Sequence, residues 1–193
     1  MKINVGAKPD DSDIAFFVRG CPDDLESSDG KAGDFNGSRP AMGIKAEQVE
    51  DIEAVQGLID DMLETLYATD NGIGLAATQV GRKEAIVIID LSEKRDQPLV
   101  LINPQVTSGT EPAFGQEGCL SVPDYYADVE RYGSVVVSAL DRHGVPITVK
   151  SCDFLAIVMQ HEIDHLQGKV FIDYLSPLKR KMALKKVKKQ RGQ

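Results

Sequence analysis

The sequence predicts an α+β protein: antiparallel β-sheets packed around a central buried helix, with a further helix at the C-terminus. Three observations carry this. Apolar residues recur at steps of three and four between Glu47 and about Thr69. Several short β-branched runs are bounded by turn residues, two of them close enough to form a hairpin. A later stretch, 153–167, is apolar on nearly every side in its first half, as a helix deep in a core would be.

In chain order, residues 1–43 are rich in Asp, Gly, Ser and Pro. They read as an atypical, loop-rich segment around one apolar run, "IAFFV". The first helix follows, its apolar face made of Val49, Ile52, Val55, Leu58, Ile59, Met62, Leu63 and Leu66. Asn71-Gly72 breaks it. "EAIVIID" (84–90) and "PLVLINP" (98–104) read as strands. "SVVVSALD" (134–141) and "PITVK" (146–150), joined by "RHGV", read as a hairpin. The second helix, "DFLAIVMQHEIDHLQ", can be capped by Ser151 or Asp153 and ended by a left-handed Gly168. Pro177 opens the last helix, which runs into the basic tail.

Composition narrows the function. No apolar run approaches the ~18 residues that would span a membrane, and the N-terminus lacks the pattern of a secretory signal. Three cysteines, Cys21, Cys119 and Cys152, fit a reducing cytoplasm better than a disulfide framework. Cys21 and Cys152 read as small hydrophobes. The net charge of −8 argues against DNA or other nucleic acid as the partner of the whole protein. The charge is uneven, however: residues 179–193 carry eight Lys or Arg and no acid. That leaves 14 bases against 30 acids in residues 1–178, a net of −16.

"QHEIDH" (160–165) places His161 and His165 four residues apart, hence on one helix face, with Glu162 between them. Two imidazoles at that spacing can bind one first-row metal ion; the plain alternative is a pair of core histidines. A catalytic ion needs a third protein ligand. The metzincin pattern would supply another His downstream, and the thermolysin pattern a Glu. After Gly168 this chain has neither, its only acid being Asp173. The third ligand therefore has to come from upstream, where Cys119 sits among turn residues in "GQEGCLSVPDYY" (115–126). A third stretch, "GIGLAATQVG" (72–81), gathers small residues around Gln79. It reads either as a tightly packed turn or as backbone open to pairing with an extended peptide.

Together these stretches resemble the peptide deformylases: "GIGLAATQ" (72–79), "EGCLS" (117–121) and "QHEIDH" (160–165) are similar to that family's three motifs in order and key residues. The resemblance spans 44–178, the expected catalytic domain. It lapses in 1–43, where "CPDDLES" lacks the arginines of the family's opening segment.

The resemblance implies a cytoplasmic hydrolase of protein biosynthesis that removes the formyl group from N-formylmethionyl peptides. It implies one Fe(II) ion held by Cys119, His161 and His165, with Ni(II), Co(II) or Zn(II) able to substitute. Glu162 would transfer protons, while the Gln79 amide and the Leu120 backbone N–H would face the developing oxyanion. Ile73, Phe154, Ile157 and Val158 would seat the methionine side chain, and Gly74 and Gly118 would offer backbone hydrogen bonds. The basic segment 179–193 would dock on the ribosome. The competing readings are a metallopeptidase acting on ordinary peptide bonds and a non-catalytic binder; an intact Glu162 argues against the latter.

Overall fold

The computed structural model describes residues 14–17, 44–119 and 121–191. Helix α1 (Gln56–Tyr67) lies on one face of a sheet, and helix α2 (Phe154–Leu166) lies on the other. The strands are β1 (Ile14–Phe17), β2 (Gly74–Ala76), β3 (Ile86–Ile89), β4 (Leu99–Cys119), β5 (Val122–Leu140) and β6 (Pro146–Ser151). They form one sheet in the order β1-β6-β5-β4-β3-β2. The sequence suggested several antiparallel sheets. Among the described residues there is one, antiparallel from β6 to β2, with β1 added in parallel beside β6.

β3 shows why two helices sandwich the sheet. All four of its residues are buried, and their side chains alternate between faces. Ile86 and Ile88 pack with Ile59, Met62 and Leu66 of α1. Val87 and Ile89 pack with Leu155, Met159 and Ile163 of α2. Each fully buried side chain of this kind contributes about 1.5–3 kcal/mol. A third cluster joins Val122 and Val129 of β5, Phe171, Ile172 and, from helix α3 (Pro177–Arg191), the fully buried Ala183.

The first helix starts later than its apolar periodicity suggested. Asn103, at φ 55°, accepts from the Val49 N–H at 2.8 Å and donates to the Val49 carbonyl at 2.9 Å, so Val49 is held in an extended segment. Asp51 Oδ1 then accepts from the N–H groups of Glu53 and Ala54, opening a 3-10 turn that leads into α1. Val49 and Ile52 still pack beneath the helix, which is why their spacing mimicked it.

β4 and β5 are far longer than the runs read from sequence. They pair from Ile102↔Leu140 out to Cys119↔Val122, so Cys119 lies at the tip of a long hairpin. The outer part of β4 is largely exposed and contains Gly109, Pro112 and Gly115, which imitate loop signals. α2 is capped as expected: the Asp153 side chain accepts from the Leu155 N–H at 2.9 Å, and Gly168 takes φ 73°. Cys152 is disulfide-bonded, not the free small hydrophobe expected. The expectation that residues 1–43 are loop-rich falls mostly outside the described residues; within them, 14–17 form β1.

Candidate active site

Three elements converge at the cleft. β2 runs straight into a 3-10 turn, Ala77–Val80, that carries Gln79. The hairpin tip supplies Cys119, and α2 supplies His161, Glu162 and His165. The donor atoms of Cys119, His161 and His165 all lie within 4.8 Å of one another, and the Cys119 sulfur is 3.3 Å from His165 Nε2.

Both imidazoles are oriented from behind. His165 Nδ1 lies 3.1 Å from the Lys169 carbonyl. A carbonyl only accepts, so Nδ1 carries the proton and Nε2 keeps its lone pair. His161 Nδ1 lies 2.8 Å from Glu117 Oε2. Arg131 grips that carboxylate through Nε at 2.7 Å and Nη2 at 3.1 Å, and it reaches Asp164 through Nη1 at 2.5 Å. Tyr174 donates to the other Asp164 oxygen, and Arg131 lies 4.5 Å from the centre of its ring. Carboxylates behind metal-facing histidines fix their tautomer and raise their basicity. Glu117 and Arg131 were not singled out from sequence; Arg131 carried no signal, being one arginine in a polar strand.

The electrostatics follow from this packing. Burial pushes the Cys119 thiol up, but His161 and His165 outweigh it and bring it down to about 5. Burial pushes Glu117 up, and His161 and Arg131 pull it down to about 2. Burial lowers His161, while Cys119 and Glu117 raise it to about 10. Binding of a divalent ion at these donors would displace protons from them. Glu162 differs: burial pushes its carboxyl up, and its Oε2 is buried with no hydrogen-bond partner among the described residues.

A thiolate with two imidazole Nε2 atoms is a donor set that suits a first-row divalent ion. Gln79 is aimed at the same point. Its Oε1 accepts from the Ala76 N–H at 2.8 Å, which turns Nε2 toward Cys119 Sγ at 3.8 Å and Ser121 Oγ at 3.4 Å. The Ser121 N–H also faces the sulfur at 3.4 Å. Leu120 lies outside the described residues.

A cavity of about 180 Å³ opens beside the cluster. Ile73, Gly74, Gly118, Phe154, Ile157 and Val158 all line it, as do Gln79, Cys119, His161 and Glu162. Ile73 and Phe154 remain 37% and 60% exposed, apolar surface left open at the cleft. Val158 also joins the core, as do its neighbours Leu155 and Ala156. Asn71 and Gln116 line the cavity too, unforeseen because polar residues near turns carry no distinctive pattern. Tyr125 stacks on Phe171, with ring centres 6.3 Å apart, and Tyr126 lies against the cavity-lining Gly118.

Fold and site define a metal-dependent hydrolase of the H-E-x-x-H kind. Residues 36–181 match the polypeptide deformylase family model, and the chain belongs to that family. It is 73% identical over 150 residues to peptide deformylase 2 of Vibrio parahaemolyticus, covering 78% of this chain and 89% of that one. It is 61% identical over 145 residues to peptide deformylase 3 of Shewanella oneidensis, covering 75% and 89%. Among solved structures, it is similar to a peptide deformylase from Legionella pneumophila at a TM-score of 0.71 and 44% identity, covering 76% and 86%. A peptide deformylase from Ehrlichia chaffeensis in complex with actinonin gives 0.72 and 39%, covering 77% and 91%. The chain is thus an enzyme that removes the formyl group from N-formylmethionine peptides. Nothing supports the metallopeptidase alternative.

Proposed function

We propose that deformylation here uses one Fe(II) ion held by Cys119, His161 and His165, with Glu162 as the proton-transfer group. The observation that carries this is the unpartnered, buried Oε2 of Glu162 beside three converging ligand atoms. A buried polar atom without a partner costs stability, so its place in a cavity wall points to a partner met during the reaction.

A divalent ion held by Cys119, His161 and His165 would supply Lewis acidity and lower the pKa of a water toward neutrality. Glu162, raised by burial, accepts the proton of the attacking water and delivers it to the leaving amine. The Gln79 amide, fixed through its Oε1, donates to the formyl oxygen as charge develops there, with the Leu120 N–H as second donor. Ile73, Phe154, Ile157 and Val158 seat the methionine side chain. Among the described residues β2 is the sheet's last strand, so its edge away from β3 can pair with an extended peptide. Gly74 lies on that strand, and Gly118 offers backbone from the hairpin tip in the same cavity wall. In this reading α2 is the central helix, packed by β2, β3, β4, β5 and β6.

The donor set also accepts Ni(II), Co(II) or Zn(II). The enzyme works in the cytoplasm, where formylated chains leave the ribosome. No helix among the described residues is long and apolar enough to cross a membrane. The eight bases of 179–193 make α3 the contact to the anionic ribosome surface.

Glu162→Ala tests the core of the reading. Metal content should be unchanged, and turnover of formyl-Met-Ala-Ser should fall ~10²–10⁴-fold. Turnover near the parent rate would remove Glu162 from the mechanism.

A further inference from the structure

One wall of the cavity, Asn71 to Gly74, follows the end of α1, where a helix needs carbonyl partners from outside it. Arg95 binds one of these carbonyls, that of Leu66, together with three beyond the helix end. Its Nη2 donates to the carbonyls of Leu66 at 2.6 Å and Gly72 at 2.9 Å, and its Nη1 donates to that of Thr69 at 2.5 Å and more weakly to that of Asp70 at 3.4 Å. The guanidinium carbon stands 5.4 Å from the centre of the Tyr67 ring. From the other side, Thr69 Oγ1 accepts from the Gly72 N–H at 3.1 Å. A β-carbon on Gly72 would lie 2.1 Å from that oxygen, so only glycine fits between the two grips. The next carbonyl, Ile73, accepts from the Asp90 N–H at 2.9 Å.

The loop that carries Arg95 is itself tied down. The buried Asp90 carboxylate accepts from Ser92 N–H at 2.8 Å, Ser92 Oγ at 2.6 Å, Gln97 N–H at 3.1 Å and Tyr67 OH at 2.8 Å. Arg95 takes φ 53°, a region that L side chains seldom adopt. Such a conformation persists only where surrounding bonds over-determine it, and it often marks a functional constraint.

We propose that Arg95 is a positioning residue that sets the width of the methionine seat. It does not line the cavity, but it fixes the backbone that holds Ile73 opposite Ile157 and Phe154 of α2. A lysine cannot replace it, because one ammonium cannot meet carbonyls spread around a planar fork. The inference rests on the reading of this cavity as the methionine site.

The test is steady-state kinetics of Arg95→Lys, Thr69→Ala and Thr69→Ser on formyl-Met-Ala-Ser and formyl-Ala-Ala-Ser. Arg95→Lys and Thr69→Ala should raise KM for the methionine substrate on the order of 10-fold, with kcat within about 2-fold. The preference for methionine over alanine should shrink by a similar factor, and Thr69→Ser should restore it. Metal content should stay unchanged. A role in stability alone would leave the preference at the parent value in folded variants, and that result overturns the inference. A parent with no preference between the two substrates would instead overturn the methionine seat itself, and the inference with it.

Discussion

A β-carbon placed on Gly74 would lie 2.5 Å from Oε1 of Glu162, with the carboxyl carbon and Cγ at 2.9 Å. Edge strand β2 and helix α2 therefore touch where the buried carboxylate sits. Gly74→Ala has to swing Glu162 out of place. We expect turnover to fall at least ~10²-fold, the scale of a displaced general base, with metal content unchanged by atomic absorption. Parent-like turnover would show that this contact does not set the carboxylate's position.

The Glu117–Arg131–Asp164 cluster should tie metal retention to folding. Arg131 and Glu117 side chains are only 4% and 6% exposed, so neither charge can turn to water. Glu117→Gln weakens the hold on His161 and should lower metal affinity about 10–100-fold in a chelator competition. Arg131→Met strands two buried carboxylates and should cost about 3–5 kcal/mol in urea unfolding. Parent-like metal affinity in Glu117→Gln would place the control of His161 elsewhere.

Acid should loosen the loop that holds Arg95. Burial pushes the Asp90 carboxyl up, but hydrogen bonds from Ser92, Tyr67 and Gln97 outweigh it and hold the pKa below its ordinary value. A carboxyl lowered on folding adds stability above its unfolded pKa of about 3.9 and loses it as pH falls through the lower folded value. Asp90→Asn should therefore be less stable than the parent at neutral pH, and the gap should narrow below about pH 4. A gap that is constant with pH would show that the charge of Asp90 adds nothing.

Much of the site's chemistry was legible because its groups declare themselves by type and spacing. His161 and His165 share a helix face, and Cys119 stood out among turn residues. The scaffolding behind them was not legible. Glu117 pairs with Arg131 only through the register of a long hairpin, and Arg95 reaches Leu66 across 29 residues of sequence. α2 and β3 were read well because burial imposes a period, whereas the same spacing over-extended α1 into an extended segment and a 3-10 turn before it. The outer half of the β4–β5 hairpin was missed because, with both faces partly wet, it has no apolar alternation to read.

α3 alters how ribosome docking should be tested. Ala183 is fully buried, and Leu184 and Val187 pack with Phe171 and Val122. Deleting 179–193 would thus open a cluster that includes Cys119. Charge reversal at the exposed Lys181 and Lys185 is the cleaner probe. We expect cosedimentation with ribosomes at low salt to fall, with a shallower salt dependence. Hydrolysis of a free formyl-tripeptide should stay within about 2-fold, since neither lysine lines the cavity. Unchanged cosedimentation would rule out these two charges as the anchor.

The central claim is a single ion at Cys119, His161 and His165 that serves deformylation. Its most direct test is one anaerobic preparation of the full chain, analysed for metal and assayed on formyl-Met-Ala-Ser and acetyl-Met-Ala-Ser. The account predicts about one iron per chain, turnover of the formyl substrate alone, and loss of both metal and turnover in Cys119→Ala. Full turnover in a sample free of divalent metal, or in Cys119→Ala, would contradict it.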